Sequence, residues 1–194
     1  MNVAAIVLAA GRSTRMAPRN KLLEEIGGET MVRRVTRLAL ASSAKPVIVV
    51  TGFEAEAVGA ALSGLDVRLV HNPSYAEGLS TSLRAGLAAL PSSCDGALIC
   101  LADMPWVEGS VLQTLITAFA ANGPHSICVP THHGRQGNPV LFGSAYFPEM
   151  KSLSGDMGAK PLMATHESQV VAVAVSTDSI FADADTTSDL LRSS

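Results

Sequence analysis

The residues Leu8-Ala9-Ala10-Gly11-Arg12-Ser13-Thr14-Arg15-Met16 end a short apolar run and open a polar stretch in which Arg12, Arg15, Arg19 and Lys21 fall within ten positions. Small residues at such a turn let backbone N–H groups approach an anion. Guanidinium forks followed by an ammonium suit a ligand with several negative charges, such as a polyphosphate. Ser13 and Thr14 stand where a dinucleotide fingerprint needs glycines, and no GK[ST] closes the loop, so neither a GxGxxG site nor a Walker A loop is present. A generic strand-to-helix turn carrying surface arginines has the same residues, so the chemistry needs further support.

Carboxylates form the second group. Asp103 follows the apolar run Ala97–Leu101 and precedes Met104-Pro105. A charge at the end of a buried strand is costly unless a cation meets it, although a turn or cap explains an aspartate equally well. Asp183 and Asp185 lie close together near the C-terminus, where metal binding and capping of the turn after them are rival roles. The five histidines have no metal-ligand spacing: His132-His133 reads as a surface pair and His71 receives no role. No Ser-His-Asp or Cys-His constellation stands out.

The elements that must position these groups alternate. Val3–Leu8, Pro46–Thr51, Val67–Val70 and Ala97–Leu101 read as short strands of small or branched residues. Between and after them, Thr30–Ala41, Glu54–Leu62, Leu79–Leu90 and Val107–Ala121 read as helices with one apolar face. Ile127–Pro130, Pro139–Phe142 and Val170–Val175 add strands around a polar loop at His132–Asn138, with short helices near Ala145–Met150 and from Ala159, and a helical turn at Thr187–Leu191. Such alternation predicts an α/β chain: three α/β/α layers around a mainly parallel sheet, with a β-rich excursion over one sheet edge. Ligands of such sheets lie beyond the carboxyl ends of the strands, which points to Ala9–Lys21 and Ala102–Pro105.

The chain of 194 residues, 47% hydrophobic and 16% charged, fits one domain without disulfide or metal staples and is not a disordered tail. A net charge of −3 argues against a nucleic-acid binder. The distribution is uneven: residues 1–37 hold seven of the fourteen cations, while 178–189 hold four acids and no cation. That asymmetry suits an anionic ligand and a metal, or simply solvated charge. Cys94, Cys100 and Cys128 are odd in number and lack CxxC spacing, which suggests a reducing compartment. No basic region precedes Val3–Ala10, and no apolar stretch approaches the ~20 residues of a membrane span, so the expectation is a cytoplasmic, soluble protein.

Taken in order, these motifs resemble the MobA-like nucleotidyltransferases. LAAGRSTRM…K is followed by Val49–Gly52, Asn72–Leu83 (NPSYAEGLSTSL), Leu101–Pro105 (LADMP), Gly137–Pro139 (GNP), Leu153–Gly158 (LSGDMG) and Asp183–Leu190 (DADTTSDL), a set most similar to the MocA branch, the molybdenum cofactor cytidylyltransferases. The resemblance implies a Rossmann-like nucleotidyltransferase fold, with residues 1–105 as the nucleotide-binding half and 106–194 as the acceptor-binding half. It implies that Leu8, Ala9, Ala10 and Gly11 hold the nucleotide, that Ala10 in place of glycine goes with cytidine rather than guanosine, and that Arg12, Arg15 and Lys21 clamp phosphates. Thr51, Gly52, Gly78, Ser80 and Ser82 match further nucleotide-side positions. Ser82 and the N–H groups of its helix would meet a pyrimidine edge or a phosphate, while N-capping by Ser80 is equally consistent. Asp103 and Asp185 match Mg²⁺ ligands, and Asn138 and Asp156 the side where a pterin would lie, although turn chemistry alone explains the last two stretches equally well. The chain departs from the family in Ala17-Pro18-Arg19-Asn20, between the methionine and Lys21.

The implied reaction is attack by the terminal phosphate of molybdopterin on the α-phosphorus of CTP, with Arg12, Lys21 and Asp103 as its catalytic groups. A phosphate monoester is already ionised near neutral pH, with a second pKa of about 6, so no general base is required. Magnesium is the implied cofactor; CTP, molybdopterin and a recipient molybdoenzyme are the implied partners. Rival readings are a nicotine-blue-type NAD(P)H oxidoreductase on the same fold, a nucleotide-binding regulator or chaperone of molybdoenzymes, and a transferase acting on a sugar phosphate or methylerythritol phosphate.

Overall fold

A computed structural model describes residues 1–12, 20–156 and 158–184. β1 (Val3–Ala9) is buried along its whole length, as expected of a central strand with both faces covered. β2 (Glu25–Ile26) and β3 (Glu29–Thr30) form a small antiparallel hairpin turned by Gly27-Gly28, which the sequence reading did not contain. α1 (Met31–Ala41) buries Met31, Val32, Val35 and Ala39. The remaining elements are β4 (Val47–Thr51), α2 (Ala55–Ala61), β5 (Arg68–His71), α3 (Leu79–Ala88), β6 (Gly96–Leu101), α4 (Gly109–Asn122), β7 (Ile127–His132), β8 (Arg135–Gln136), β9 (Val140–Gly143), α5 (Phe147–Ser152), α6 (Lys160–Thr165) and β10 (Val170–Ala174). The turn expected at Thr187–Leu191 lies outside the described residues.

Among the described residues the main sheet has eight strands in the order β10-β7-β9-β6-β1-β4-β5, with β8 paired to β7. β1 runs parallel to β4 and β6 in registers that set Leu8 opposite Val50 and Leu101, so the ends of these strands open at one level. Alternate side chains divide between two cores. Val3, Ala5 and Val7 pack with α1, α2 and α4, while Ile6, Leu8 and Ala10 pack with α3, α5 and α6. This is the three-layer α/β/α fold.

Two details depart from the sequence reading. The later strands do occupy one side of the sheet, but β9 enters its interior, antiparallel between β6 and β7. The polar loop His132–Asn138 contains β8, formed because β7 continues to His132 and pairs back on itself. Cys94, Cys100 and Cys128 are buried free thiols, and burial pushes Cys100 up to about 12. No helix among the described residues is long and apolar enough to cross a membrane.

Candidate active site

A cleft of about 460 Å³ opens at the carboxyl ends of β1 and β6, with Ala10, Gly11, Arg12, Lys21, Ser82 and Asp103 in its walls. The Ala102 amide donates to the Leu8 carbonyl (3.2 Å), tying the end of β6 to β1 and setting Asp103 at the mouth. Lys21 comes from the other side. The Asn20 side chain accepts from the Leu22 amide (3.1 Å), starting a 3-10 turn over Lys21–Leu23, and Leu22 is buried as its anchor. Lys21 Nζ then donates to Asp103 Oδ2 at 2.9 Å, so the cation that a carboxylate at a strand end requires is present. Arg12 is exposed at the cleft, and Arg15 lies outside the described residues.

The basic N-terminal region divides when seen in three dimensions. Arg33 donates to the carbonyls of Ala61 and Ser63, Arg34 to that of Pro105, and Arg37 pairs with Glu29 at 2.8 Å. The Arg37 guanidinium holds the Glu29 carboxyl below its ordinary range. These arginines fasten α1 to its neighbours; of the described cations in residues 1–37, Arg12 and Lys21 line the cleft.

Close packing shapes one wall of this cleft. A Cβ added at Gly52 would fall 2.5 Å from Tyr75 Cβ and 2.8 Å from Ala10 Cβ, so glycine is what permits the three segments to meet. The Phe53 amide donates to the Ala10 carbonyl at 3.2 Å, completing this contact. Thr51 and Ala9 are buried behind the wall and do not face the cleft.

The N-terminus of α3 differs from the expectation of free N–H groups. Leu79 donates to Asp156 Oδ1 (3.2 Å) and the Ser80 amide to the Gly155 carbonyl (3.1 Å), so the chain itself fills them. Gly78, at φ +114°, occupies the cap position, and a Cβ there would lie 2.7 Å from Asp156 Oδ1. Ser80 therefore does not cap the helix; its hydroxyl is buried without a hydrogen-bond partner and stands outside the cleft. Ser82 does line it, accepting from Asn72 Nδ2 at 3.0 Å, while the same amide donates to Thr81 Oγ1 at 2.8 Å. Tyr75, to which sequence reasoning gives no role, also lines the cleft, and Asn72 is a buried support behind Ser82. A polar side chain directly after a strand end was the available signal for Asn72.

A second cleft, of about 600 Å³ and largely apolar, shares Leu8, Leu79, Leu101 and Asp156 with the first. Asn138 lines this one rather than the first cleft. Its backbone N–H donates to the Ile180 carbonyl at 3.0 Å. Lys160 also lines the second cleft and was not singled out from sequence.

Among the described residues no cluster of three His, Cys, Asp or Glu side chains is arranged to hold a metal ion. A hard divalent cation that keeps waters and takes phosphate oxygens needs only one or two carboxylates. Asp103, whose side chain is 30% exposed in the cleft, fits that role. Asp185 lies outside the described residues, Asp183 is exposed, and the Ala184 amide just before Asp185 donates to the Asp103 carbonyl at 2.8 Å. His132 Nδ1 meets the Val175 carbonyl at 2.9 Å and its ring packs edge-on to His133.

A family model, the MobA-like NTP transferase domain, matches residues 5–173. The chain is 32% identical over 150 residues to the bifunctional protein GlmU of Rhodococcus opacus, of which it spans 30% of the length. It is 32% identical to the purine catabolism protein PucB of Bacillus subtilis, covering 90% of this chain and 86% of that one. It is 26% identical to nicotine blue oxidoreductase of Paenarthrobacter nicotinovorans, covering 98% and 95%. Among solved structures, Rv0371c of Mycobacterium tuberculosis superposes with a TM-score of 0.87 at 29% identity, covering 99% of this chain and 97% of that one. The mycobacterial protein has also been solved as a complex with manganese, with a TM-score of 0.81 at the same 29% identity and the same coverage of both chains.

Proposed function

The chain belongs to the MobA-like NTP transferase family, and from that premise we propose that it transfers CMP from CTP to the terminal phosphate of molybdopterin, releasing pyrophosphate. The observation that carries this reading is the Lys21–Asp103 pair at 2.9 Å in a cleft bordered by Ala10 and Arg12. An acceptor phosphate oxygen forms the new bond to the α-phosphorus as the bond to the bridging oxygen breaks and pyrophosphate departs. Arg12 and Lys21 neutralise the phosphates and hold them in line, with Arg15 as a third cation, and positioning supplies most of the catalysis. Magnesium, held by Asp103 and Asp185 with phosphate oxygens, would supply charge neutralisation at the triphosphate. The manganese complex of the mycobacterial protein supports a divalent cation here.

The choice of CTP rests on Ala10. Its methyl lies beside Gly52 in the cleft wall, where a side chain would narrow the space for a purine. Gly11, Gly78 and Ser82 complete the nucleotide side, with Thr51, Gly52 and Ser80 behind them as supports. On this reading residues 1–105 supply most of the nucleotide side, and residues 106–194 bring Asn138 and Asp156 to the apolar cleft, which Leu8, Leu79, Leu83, Ile99 and Leu101 also line. A molybdoenzyme would receive the product.

The test is pyrophosphate release across a nucleotide panel, with Mg²⁺ and molybdenum-loaded molybdopterin as acceptor. CTP turnover well above GTP turnover is expected, with Ala10→Gly raising GTP use. Equal use of GTP by the unmodified protein would overturn the role of Ala10. Turnover of NAD(P)H with a dye acceptor would instead favour the oxidoreductase reading suggested by the Paenarthrobacter relative. Nucleotide binding with no pyrophosphate from any acceptor would mark a regulator.

A further inference from the structure

The two clefts continue into a third space. Through Asn138, Lys160 and Met163 the apolar cleft opens into a groove of about 750 Å³ bounded by Gln136, Glu167 and Val170. The three together form one trough, with Arg12 at the nucleotide end and Lys160 where the apolar cleft meets the outer groove.

Most of the described cations are already engaged. Lys45, Arg68 and Arg84 donate to the carbonyls of Leu40, Ala89 and Leu153, and Arg135 stacks on Phe181. Among the described residues, the Lys and Arg side chains with no hydrogen bond, ion pair or ring contact are Arg12, Lys151 and Lys160. Two of these three stand in one trough, separated by an apolar wall that includes Leu79, Leu83, Val140 and Phe142. Such a wall offers no partners to the hydroxyl groups of a sugar, which would be stripped of water without compensation. It accepts the faces of a flat ring system, whose polar edge must then reach Asn138, Asp156 or Lys160.

We infer that Lys160 is the specificity-determining residue of the acceptor cleft, its ammonium donating to an oxygen at the far edge of a planar heterocycle while the apolar wall rejects sugar phosphates. The inference rests on reading this cleft as the acceptor's seat. It places the reacting phosphate at the Lys21 end and the recognised oxygen at the Lys160 end.

Direct titration with pterin-6-carboxylate, followed by its fluorescence and without nucleotide, tests this. Because Lys160 is exposed, Lys160→Met keeps the fold. It should raise Kd about tenfold, the loss of one charge-assisted hydrogen bond. Lys160→Arg should return Kd to within about threefold, since the charge and a donor persist. Glucosamine 1-phosphate should not displace the probe. Failure of the wild-type protein to bind, equal Kd for wild type and Lys160→Met, or displacement by the sugar phosphate overturns the inference. No turnover enters this measurement, so failure of the CTP reaction would sink the proposed activity and leave Lys160 to be judged by its own readout.

Discussion

Lys21 Nζ stands 2.9 Å from Asp103 Oδ2, joining the end of the first loop to the end of β6 across 82 positions of chain. The pair is a preset charge arrangement: the carboxylate orients the ammonium, and both face the same cleft. A triphosphate arriving with a divalent cation would offer each partner a second one of opposite sign.

Asp103→Asn should therefore cut pyrophosphate release by about 100-fold or more, the scale on which electrostatic groups act. Stability should fall by no more than about 1 kcal/mol, because the pair is partly exposed. Rates and thermal melts measured on the same preparation separate the two effects. An unaffected rate would remove Asp103 from the site.

Gly52→Ala places a methyl where Tyr75 Cβ would be 2.5 Å away and Ala10 Cβ 2.8 Å away. Both are the first side-chain atoms and cannot swing aside, so the wall must shift at a cost of about 1–3 kcal/mol. Calorimetry should show the lower melting temperature and nucleotide titration a weakened affinity; an unchanged melting temperature would contradict the packing described.

Asn72→Ala removes the donor to Thr81 and Ser82 in a buried position. Thr81 keeps its own bonds to the Ser74 and Gly78 carbonyls, whereas Ser82 loses its donor. A loss of about 1–3 kcal/mol in urea unfolding is expected, together with a higher KM for the nucleotide.

Burial raises the Cys100 thiol from 9.0 to about 12. Its contribution is full below the unfolded value near 9.0 and is lost as pH rises toward 12, since the unfolded chain ionises first. Each pH unit in that window should remove up to about 1.4 kcal/mol. Urea midpoints between pH 8 and pH 11 should fall more steeply for the wild type than for Cys100→Ala, and parallel slopes would refute the assignment.

Much of the scaffold is legible locally. The spacing of Met31, Val35 and the arginines between them predicts α1 almost to its ends, and the branched run at Val47–Thr51 predicts β4. Lys21 and Asp103 are recognisable singly, one as the cation that closes the polar loop after β1 and the other as a carboxylate just past the end of β6. What local pattern does not carry is pairing. Leu79 meets Asp156 across 77 positions, and this contact converts an expected ligand-binding helix end into a filled one. Arg33 and Arg34 count as cations in composition, yet the direction in which they point makes them fasteners. The apolar cleft draws Leu8, Leu83, Val140 and Met163 from distant segments, each of which reads as core when taken alone.

The interior place of β9 has a consequence for how the chain comes together. Residues 127–132 emerge before residues 140–143, yet among the described ladders it is β9 that bridges β6 to β7, and β10 pairs only with β7. Until that bridge closes, β6 offers a bare backbone edge to other chains, the template on which nascent proteins aggregate. Strand insertion at β9 is then the step that commits the whole sheet at once. Residues 1–105 and 106–194 should melt in a single cooperative transition, because neither segment owns a complete set of strands.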